Sequence, residues 1–522
     1  MIYSGKPNIA RMAGWLLLLL LAIMYLAWPG DHHWGDLDQS LYVNLALQAN
    51  QEGRLSTCWR QGNAGIRYHP FPIWVYQCFL ALTHDLVLIS FVKALLTLIA
   101  CLGGLYYLSR VLSYPRWVLL LFCFFPHCYL YGSEFTDDSW LVPVSLLAVA
   151  CYARFSEKLS TAALAVTIFL MTLLFYLHPR GALLFFPVIF TMALFDRQRL
   201  KNKPAFVLLI VAAMLLIIFP YLTPVKDTVP GDVAGLAVPF SGRAARFLSA
   251  ALTGGLFFSY DFFQLLIPHH FTGKVLTPVM KVIIGLTMLS YLLMISGIGI
   301  TVVSLIRKRR SKIPPDLEDR LGGLSLFSVV VFSMVMAFFD LFHAVEYYSA
   351  VWFCFFFFIW RAIKIFQERR YLKILPILYG LSMAFCWICF WLMVHLEGVG
   401  LTLDNAMAAA RQISQYSPES RVVQKVSLEN GNMVDIMNAN LESAFGNVWY
   451  YRESVNLLNK NEILQKCLKG SYIYLALVPM LNIYYAGQDL KRLPVRTVRL
   501  SYRDAGGKNH LTVTVEPEDA AP

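Results

Sequence analysis

Val282-Ile-Ile-Gly-Leu-Thr-Met-Leu-Ser-Tyr-Leu-Leu-Met-Ile-Ser-Gly-Ile-Gly-Ile-Thr-Val-Val-Ser-Leu-Ile306 contains no acid or base, and Arg307-Lys-Arg-Arg310 follows it at once. A bilayer core calls for roughly 20 mostly apolar residues per helix. Inside it, every backbone polar group must be paired within its own segment. This run meets both demands, and the cations that close it mark a water-facing end.

Similar runs recur along the chain. The approximate cores are Gly14–Trp28, Leu86–Leu108, Trp117–Leu130, Trp140–Ala153, Thr161–Leu177 and Gly181–Leu194, then Ala205–Leu222, Val282–Ile306, Leu324–Phe339, Ser349–Trp360 and Leu375–Val394. They total about eleven spans. The chain is 58% hydrophobic and 15% charged, against about 45–50% and about 25% for soluble domains. A soluble protein buries one or two such segments, not so many. The fold class is therefore a polytopic α-helical membrane protein. The first run follows Lys6 and Arg11 but lacks a small-x-small cleavage site, so it reads as a retained helix ending at Trp28.

The net charge of +12 is no nucleic-acid signal, because it is concentrated in short connections between spans. One face receives Arg110/Arg116, Arg154/Lys158, Arg197 to Lys203, Arg307 to Lys312 and Arg361 to Lys373. The positive-inside rule makes that face cytoplasmic. The expected site is the cytoplasmic (inner) membrane, with the N-terminus inside. The opposite face collects Asp31, Asp36, Asp38, Glu52, Glu134, Asp137, Asp138, Asp340 and Glu346, and the eleven histidines fall at or near it. Chemistry is expected there. Phe247–Ile267 is apolar but holds Gly254-Gly255 and Asp261; counting it as a span would put Arg307 to Arg310 outside. It reads as an interfacial or re-entrant segment in an outer loop, 223–281.

The ten cysteines form no disulfide framework, since eight lie in or beside apolar runs. Cys386-x-x-Cys389 sits inside such a run, where the thiols are small apolar side chains. Cys58 and Cys467 fall in loops on one face, and their pairing stays open.

The division expected is a transmembrane unit over 1–396, with outer loops 30–85 and 223–281, and a soluble extracytoplasmic unit over 397–522. In the latter, Asp404–Tyr416 is amphipathic. Tyr472–Val478, Val495–Tyr502 and Leu511–Val515 look like strands, and Asn430-Gly431 is a turn signal. A small α/β domain follows.

The loop after the first span carries Trp34-Gly-Asp36-Leu-Asp38-Gln-Ser-Leu-Tyr42, then Arg67-Tyr68-His69-Pro70-Phe71-Pro72-Ile-Trp74. Asp36 and Asp38 lie where a helix begins, so one reading is a helix cap. The other is a general base whose pKa is raised by partial desolvation. Glu134-Phe-Thr-Asp137-Asp138-Ser-Trp140 places more acids before another span, and His178-Pro179-Arg180-Gly181 forms a basic hairpin.

This arrangement resembles the GT-C superfamily of integral membrane glycosyltransferases, especially the branches related to protein O-mannosyltransferases and the lipid A aminoarabinose transferase. Asp38-Gln39-Ser40-Leu41-Tyr42 matches that family's Asp-Glu-x-x-Tyr-like motif. Tyr68-His69-Pro70-Phe71-Pro72-Ile73-Trp74 matches its His/Lys-Pro-Pro-Leu-Tyr-Tyr-Trp-like motif. The acids at 134–138 and the hairpin at 178–181 follow in the family's order, over roughly the first two hundred residues. Gln39 replaces the second acid of the first motif, and Phe71 interrupts the Pro-Pro pair.

The resemblance implies a GT-C-like fold and inverting transfer from a polyprenyl-phosphate sugar to a lipid, glycan or protein acceptor at the outer face. Asp38 is then the first choice for the base and Asp36 the second. Arg67, His69, Arg180 and His178 are candidates to meet the departing phosphate. Asp137 and Asp138 orient the acceptor, hold a divalent cation with Asp36 and Asp38, or cap the helix that starts near Ser139. His269-His270 is a weaker candidate for phosphate or metal. His343 and Glu346 stand before the tenth span, where the acceptor pocket is expected. No cofactor is implied beyond that possible divalent cation.

Two other classes compete. A transporter or lipid-linked glycan flippase would place ionisable residues near the bilayer midplane, on helices broken in matching halves. A polysaccharide polymerase or ligase would lean on outer-loop arginines and histidines.

Overall fold

The structure is a computed structural model. It describes residues 16, 19–20, 22–23, 34, 37–53, 55, 70–114, 134–136, 138–158, 160–178, 181–196, 207, 210–211, 213–215, 276–339, 349–367, 375, 378–381, 402–427, 433–438, 477–505 and 508–515. The spans expected at 14–28, 117–130, 205–222 and 375–394 and the segment 247–267 lie largely or wholly outside these residues. So do Cys58 and Cys467.

The helices are α1 (Leu37–Gln51), α2 (Pro70–Leu82), α3 (Leu86–Leu112), α4 (Asp138–Lys158), α5 (Thr161–Leu177), α6 (Ala182–Phe195), α7 (Leu276–Arg310), α8 (Leu317–Phe339) and α9 (Trp352–Gln367). Three stretches, 86–112, 139–158 and 349–367, are long and apolar enough to cross a membrane by length and composition; shorter apolar helices cover 71–82, 161–177 and 183–195. The chain is a multi-pass, mostly helical membrane protein.

Local chemistry fixes several helix ends. Asp85 caps α3, its Oδ1 accepting from the amides of Val87 at 3.0 Å and Leu88 at 3.1 Å. Ser113 closes α3 in the left-handed conformation at φ 57°. Asp316 Oδ1 accepts from the amide of Asp319 at 2.9 Å, so α8 begins ahead of the expected apolar core at 324. The outer loop expected over 223–281 is corrected at its end. Residues 276–281 belong to α7, since a helix need not stop where the hydrophobic run does.

Each spanning helix turns one face inward. On α3, Ile89, Lys93, Thr97, Cys101, Gly104 and Leu108 are buried at the i+3/i+4 spacing of one helical face. Outward-facing residues are also apolar: Phe186, Phe190 and Leu194 on α6, and Leu292, Ile295, Val303 and Ile306 on α7. A water-facing surface rarely carries such stripes; lipid accepts them. Helix α9 is buried on every side from Trp352 to Ile363, as befits a central helix among neighbours. Buried hydroxyls bond their own helix, as Thr167 does to Ala163 O at 2.7 Å and Thr301 to Gly297 O at 2.7 Å, which satisfies them without water.

The helix ends expected on the cationic face come together. Arg320 of α8 donates to Asp196 Oδ1 after α6 at 2.9 Å and to Ser156 Oγ in α4 at 2.9 Å. Arg361 of α9 reaches Asp319 Oδ1 at 2.6 Å, and Lys364 reaches Glu318 Oε2 at 2.6 Å. Tyr114, beyond α3, donates to Glu318 Oε1 at 3.1 Å. Six helices thus share one ionic end.

The C-terminal segment holds α10 (Leu403–Ile413), β1 (Arg421–Ser427), β2 (Met433–Asn438), α11 (477–485), β3 (Thr497–Ala505) and β4 (Lys508–Val515). The sheet order is β2-β1-β3-β4. β1 runs parallel to β3, with Gln424 opposite Leu500; the other pairs are antiparallel. Asn430-Gly431 lies outside the described residues, between the antiparallel partners β1 and β2. The strand expected at 472–478 is corrected. Leu477 and Val478 are helical and fully or nearly fully buried, because a short apolar run does not separate a buried helix from a strand.

Candidate active site at the outer loops

The outer end is built on a second hydrophobic core, distinct from the one among the spanning helices. It joins Tyr42, Val43 and Leu47 of α1, Ile73 and Tyr76 of α2, Leu86 and Ile89 of α3, and Trp34 and Phe135. From the C-terminal segment it takes Leu403, Ala410, Leu477, Val498 and Leu500. The C-terminal segment therefore packs directly on the helices of the first outer loop.

Three sequence motifs meet here. Gln39 is buried, and its Oε1 accepts from the amide of Phe135 at 3.3 Å. Tyr76, fully buried, donates its hydroxyl to Thr136 O at 2.9 Å. The Phe135 ring lies 5.4 Å from Tyr76 and 5.5 Å from Trp34, centroid to centroid, and Tyr42 lies 6.3 Å from Tyr76. α1 and α2 are also tied by Asn50, which donates to Gln77 O at 3.0 Å. Segments 34–42, 70–77 and 134–140 are thus one unit. Helix α2 packs in addition against α5, whose end carries His178.

Beneath this junction lies Lys93 of α3, fully buried. Its Nζ is 5.6 Å from the Tyr76 ring centre, 5.8 Å from Phe135 and 5.5 Å from Trp140. Each such contact is worth about 0.5–2 kcal/mol. Dehydrating an ammonium costs at least several kcal/mol. The rings alone do not hold this charge, so anionic groups belong nearby. The sequence supplies them. Asp38 precedes Gln39 in α1, and Asp137 and Asp138 stand between Thr136 and Trp140.

The expected site residues divide as follows. Asp38 is the second residue of α1 and Asp138 the first of α4; both backbones lie in a first helical turn, which suits a cap and a functional carboxylate equally. His178 ends α5 half-buried, its amide donating to Leu174 O at 3.1 Å and its carbonyl accepting from Gly181 N at 2.9 Å. Asp36, Arg67, His69, Asp137, Arg180, Glu346, His269, His270 and His343 lie outside the described residues. Among the described residues, no group of three or more His, Cys, Asp or Glu side chains comes together as a metal site. The aspartates considered for a divalent cation have side chains outside that description.

Sequence reasoning passed over Lys93, Tyr76 and Gln39. For Lys93 the signal was present: a lone cation inside an apolar run marks a functional position by default.

No family model matches the sequence, and no curated protein matches it. Two solved structures are similar to it. One is ArnT from Cupriavidus metallidurans bound to undecaprenyl phosphate, at 15% identity and a TM-score of 0.44, covering 91% of this chain and 78% of that one. The other is the same protein in the apo state, at 14% identity and a TM-score of 0.41, with the same coverage. At these values no residue-by-residue correspondence follows, and the site rests on the motifs and contacts described above.

Proposed function

We propose that this chain is a GT-C-type membrane glycosyltransferase. It moves a sugar from a polyprenyl-phosphate donor to a lipid, glycan or protein acceptor at the extracytoplasmic face of the inner membrane. The observation that carries the reading is the convergence of the segments bearing Asp38, the 70–76 motif and the 134–140 acids on one aromatic-lined junction at the end of the spans opposite the cationic cluster. The N-terminus is then cytoplasmic and the C-terminal domain extracytoplasmic.

The chemistry is a single displacement. An acceptor hydroxyl or amine gives its proton to Asp38, with Asp36 as the second choice, and its lone pair attacks the anomeric carbon. The bond from that carbon to the phosphate oxygen breaks, and polyprenyl phosphate leaves with the electron pair from the opposite face, so the centre inverts. Arg67, His69, Arg180 and His178 meet the growing negative charge on phosphate. Asp137, Asp138 and Glu346 orient the acceptor. Should a divalent cation be required, Asp36, Asp38, Asp137 and Asp138 are the donor set of hard oxygens it would use.

Asp38→Asn tests the assignment. The variant should accumulate at wild-type level yet lose at least about a hundredfold in transfer rate, in the range seen for loss of a general base. Transfer at the wild-type rate sinks Asp38 as the base. Purified protein that moves lipid-linked glycan across liposomes without ever consuming a polyprenyl-phosphate sugar makes it a transporter instead.

A further inference from the structure

Lys93 is the one cation in α3 between Leu86 and Leu108. It stands two turns, about 10 Å, below the start of the helix. It is fully buried, and its ammonium faces one ring from each of three separate segments: Tyr76 from α2, Phe135 from the 134–136 turn and Trp140 from α4. These are the segments that carry or flank the proposed reaction's motifs. Tyr76 and Phe135 are in turn locked to α1 through Tyr42 and Gln39. A lysine needed only to fill space here would be better replaced by leucine, because burying an ammonium is costly.

We propose that Lys93 is a positioning residue for glycosyl transfer. Its buried charge holds the carboxylate-bearing turns at Asp36–Asp38 and Asp137–Asp138 in register with one another. The three rings fix where the ammonium sits, and its field reaches carboxylates on both turns through a medium of low dielectric, where charge–charge attraction is strong. The inference rests on the glycosyl-transfer reading, and it concerns geometry: Lys93 does not touch the donor.

The test uses the full-length chain in nanodiscs, with undecaprenyl-phosphate mannose and undecaprenyl-phosphate glucose as radiolabelled donor probes. Membranes from cells lacking the gene supply the acceptor. Lys93→Met should lower kcat about ten- to a hundredfold, with donor KM within about threefold of wild type, the pattern of a misplaced catalytic group. Lys93→Arg, which keeps the charge, should recover to within about threefold of the wild-type kcat. If Lys93→Met does not accumulate, Lys93→Gln is read against the same thresholds.

A Met or Gln variant with wild-type kcat overturns the inference. So does an Arg variant as inactive as Met while its thermal midpoint falls by the same amount, since the side chain is then only a packing element. If wild type transfers label and Asp38→Asn does not, a fully active Lys93→Met sinks this inference alone. If wild type releases no label from either probe or from a polyprenyl-phosphate lipid extract, the glycosyl-transfer reading fails, and this inference falls with it.

Discussion

Asn482 of α11 donates its side-chain amide to Oδ1 of Asn44 in α1 at 2.7 Å. The bond joins the C-terminal segment to the helix that carries Asp38 in its first turn. Around it, Val43 and Leu47 share a core with Leu477, Val478 and Leu481. The C-terminal segment is thus part of what holds α1 in place.

Loss of this bond should act on catalysis through α1. A half-buried hydrogen bond of this kind contributes about 0.5–1.5 kcal/mol. Asn482→Ala and Asn44→Ala should each lower transfer several-fold with a small loss of thermal midpoint. Because the two groups bond each other, the double variant should be little worse than either single one. Additive losses in that cycle would show that the two side chains act independently.

Alkaline stability of the C-terminal segment should depend on Tyr485. Burial raises this phenol from 10.0 to about 12. Its hydroxyl donates to Tyr416 O at 2.8 Å. A folded value above the unfolded one means that the protonated phenol's stabilisation is fully present below the unfolded value. It is lost as pH rises through the folded value. Thermal midpoints followed from neutral pH upward should therefore drop between about pH 10 and about pH 12. Tyr485→Phe should flatten that drop, and an unchanged slope would rule Tyr485 out as its source.

The ionic end should tolerate loss of a charge badly. Asp196 is fully buried and Arg320 nearly so, 2.9 Å apart. Removing one partner leaves the other as an uncompensated buried charge, at a cost of about 3–5 kcal/mol. Asp196→Ala should accumulate poorly and melt early in detergent. The pair replacement Asp196→Leu with Arg320→Met should be milder than either single change, by size-exclusion yield and thermal midpoint.

Helices α7 and α9 approach closely enough that Gly297 has no room for a side chain. A Cβ there would fall 1.9 Å from the carbonyl oxygen of Phe358 and 2.5 Å from its carbonyl carbon. Both are backbone atoms, so relief requires the helices to part. Small residues at such crossings are the usual means of close packing in lipid. Gly297→Ala should destabilise by at least about 1–3 kcal/mol, the ordinary cost of overpacking. Gly299→Ala, with open space around it, is the control and should be neutral.

Much of the fold was legible because the bilayer imposes a simple rule. The expected cores at 86–108, 161–177 and 181–194 fall within or nearly match α3, α5 and α6, since apolar length marks a spanning helix directly. The alternation of cations placed the ends of α3, α4, α6, α7 and α9 on one face with the start of α8, and Glu318, Asp319, Arg320 and Arg361 are found bridging them. The C-terminal segment was harder to read. β1 reads Arg421-Val-Val-Gln-Lys-Val-Ser427 and gives no clean alternation, and its parallel neighbour β3 lies some seventy residues on. A pairing at that distance leaves no local trace.

The sequence by itself determined that this is a helical membrane protein, which end of each span is cationic, and that acids gather in the loops at the other end. Hydrophobic length and charge are local properties, and a bilayer reads them one segment at a time. Only the tertiary structure decided that Gln39 meets Phe135, that Asn482 meets Asn44, and that Lys93 lies beneath the junction of three loops. Those contacts join residues far apart in the chain. They depend on side-chain packing, which no single segment specifies.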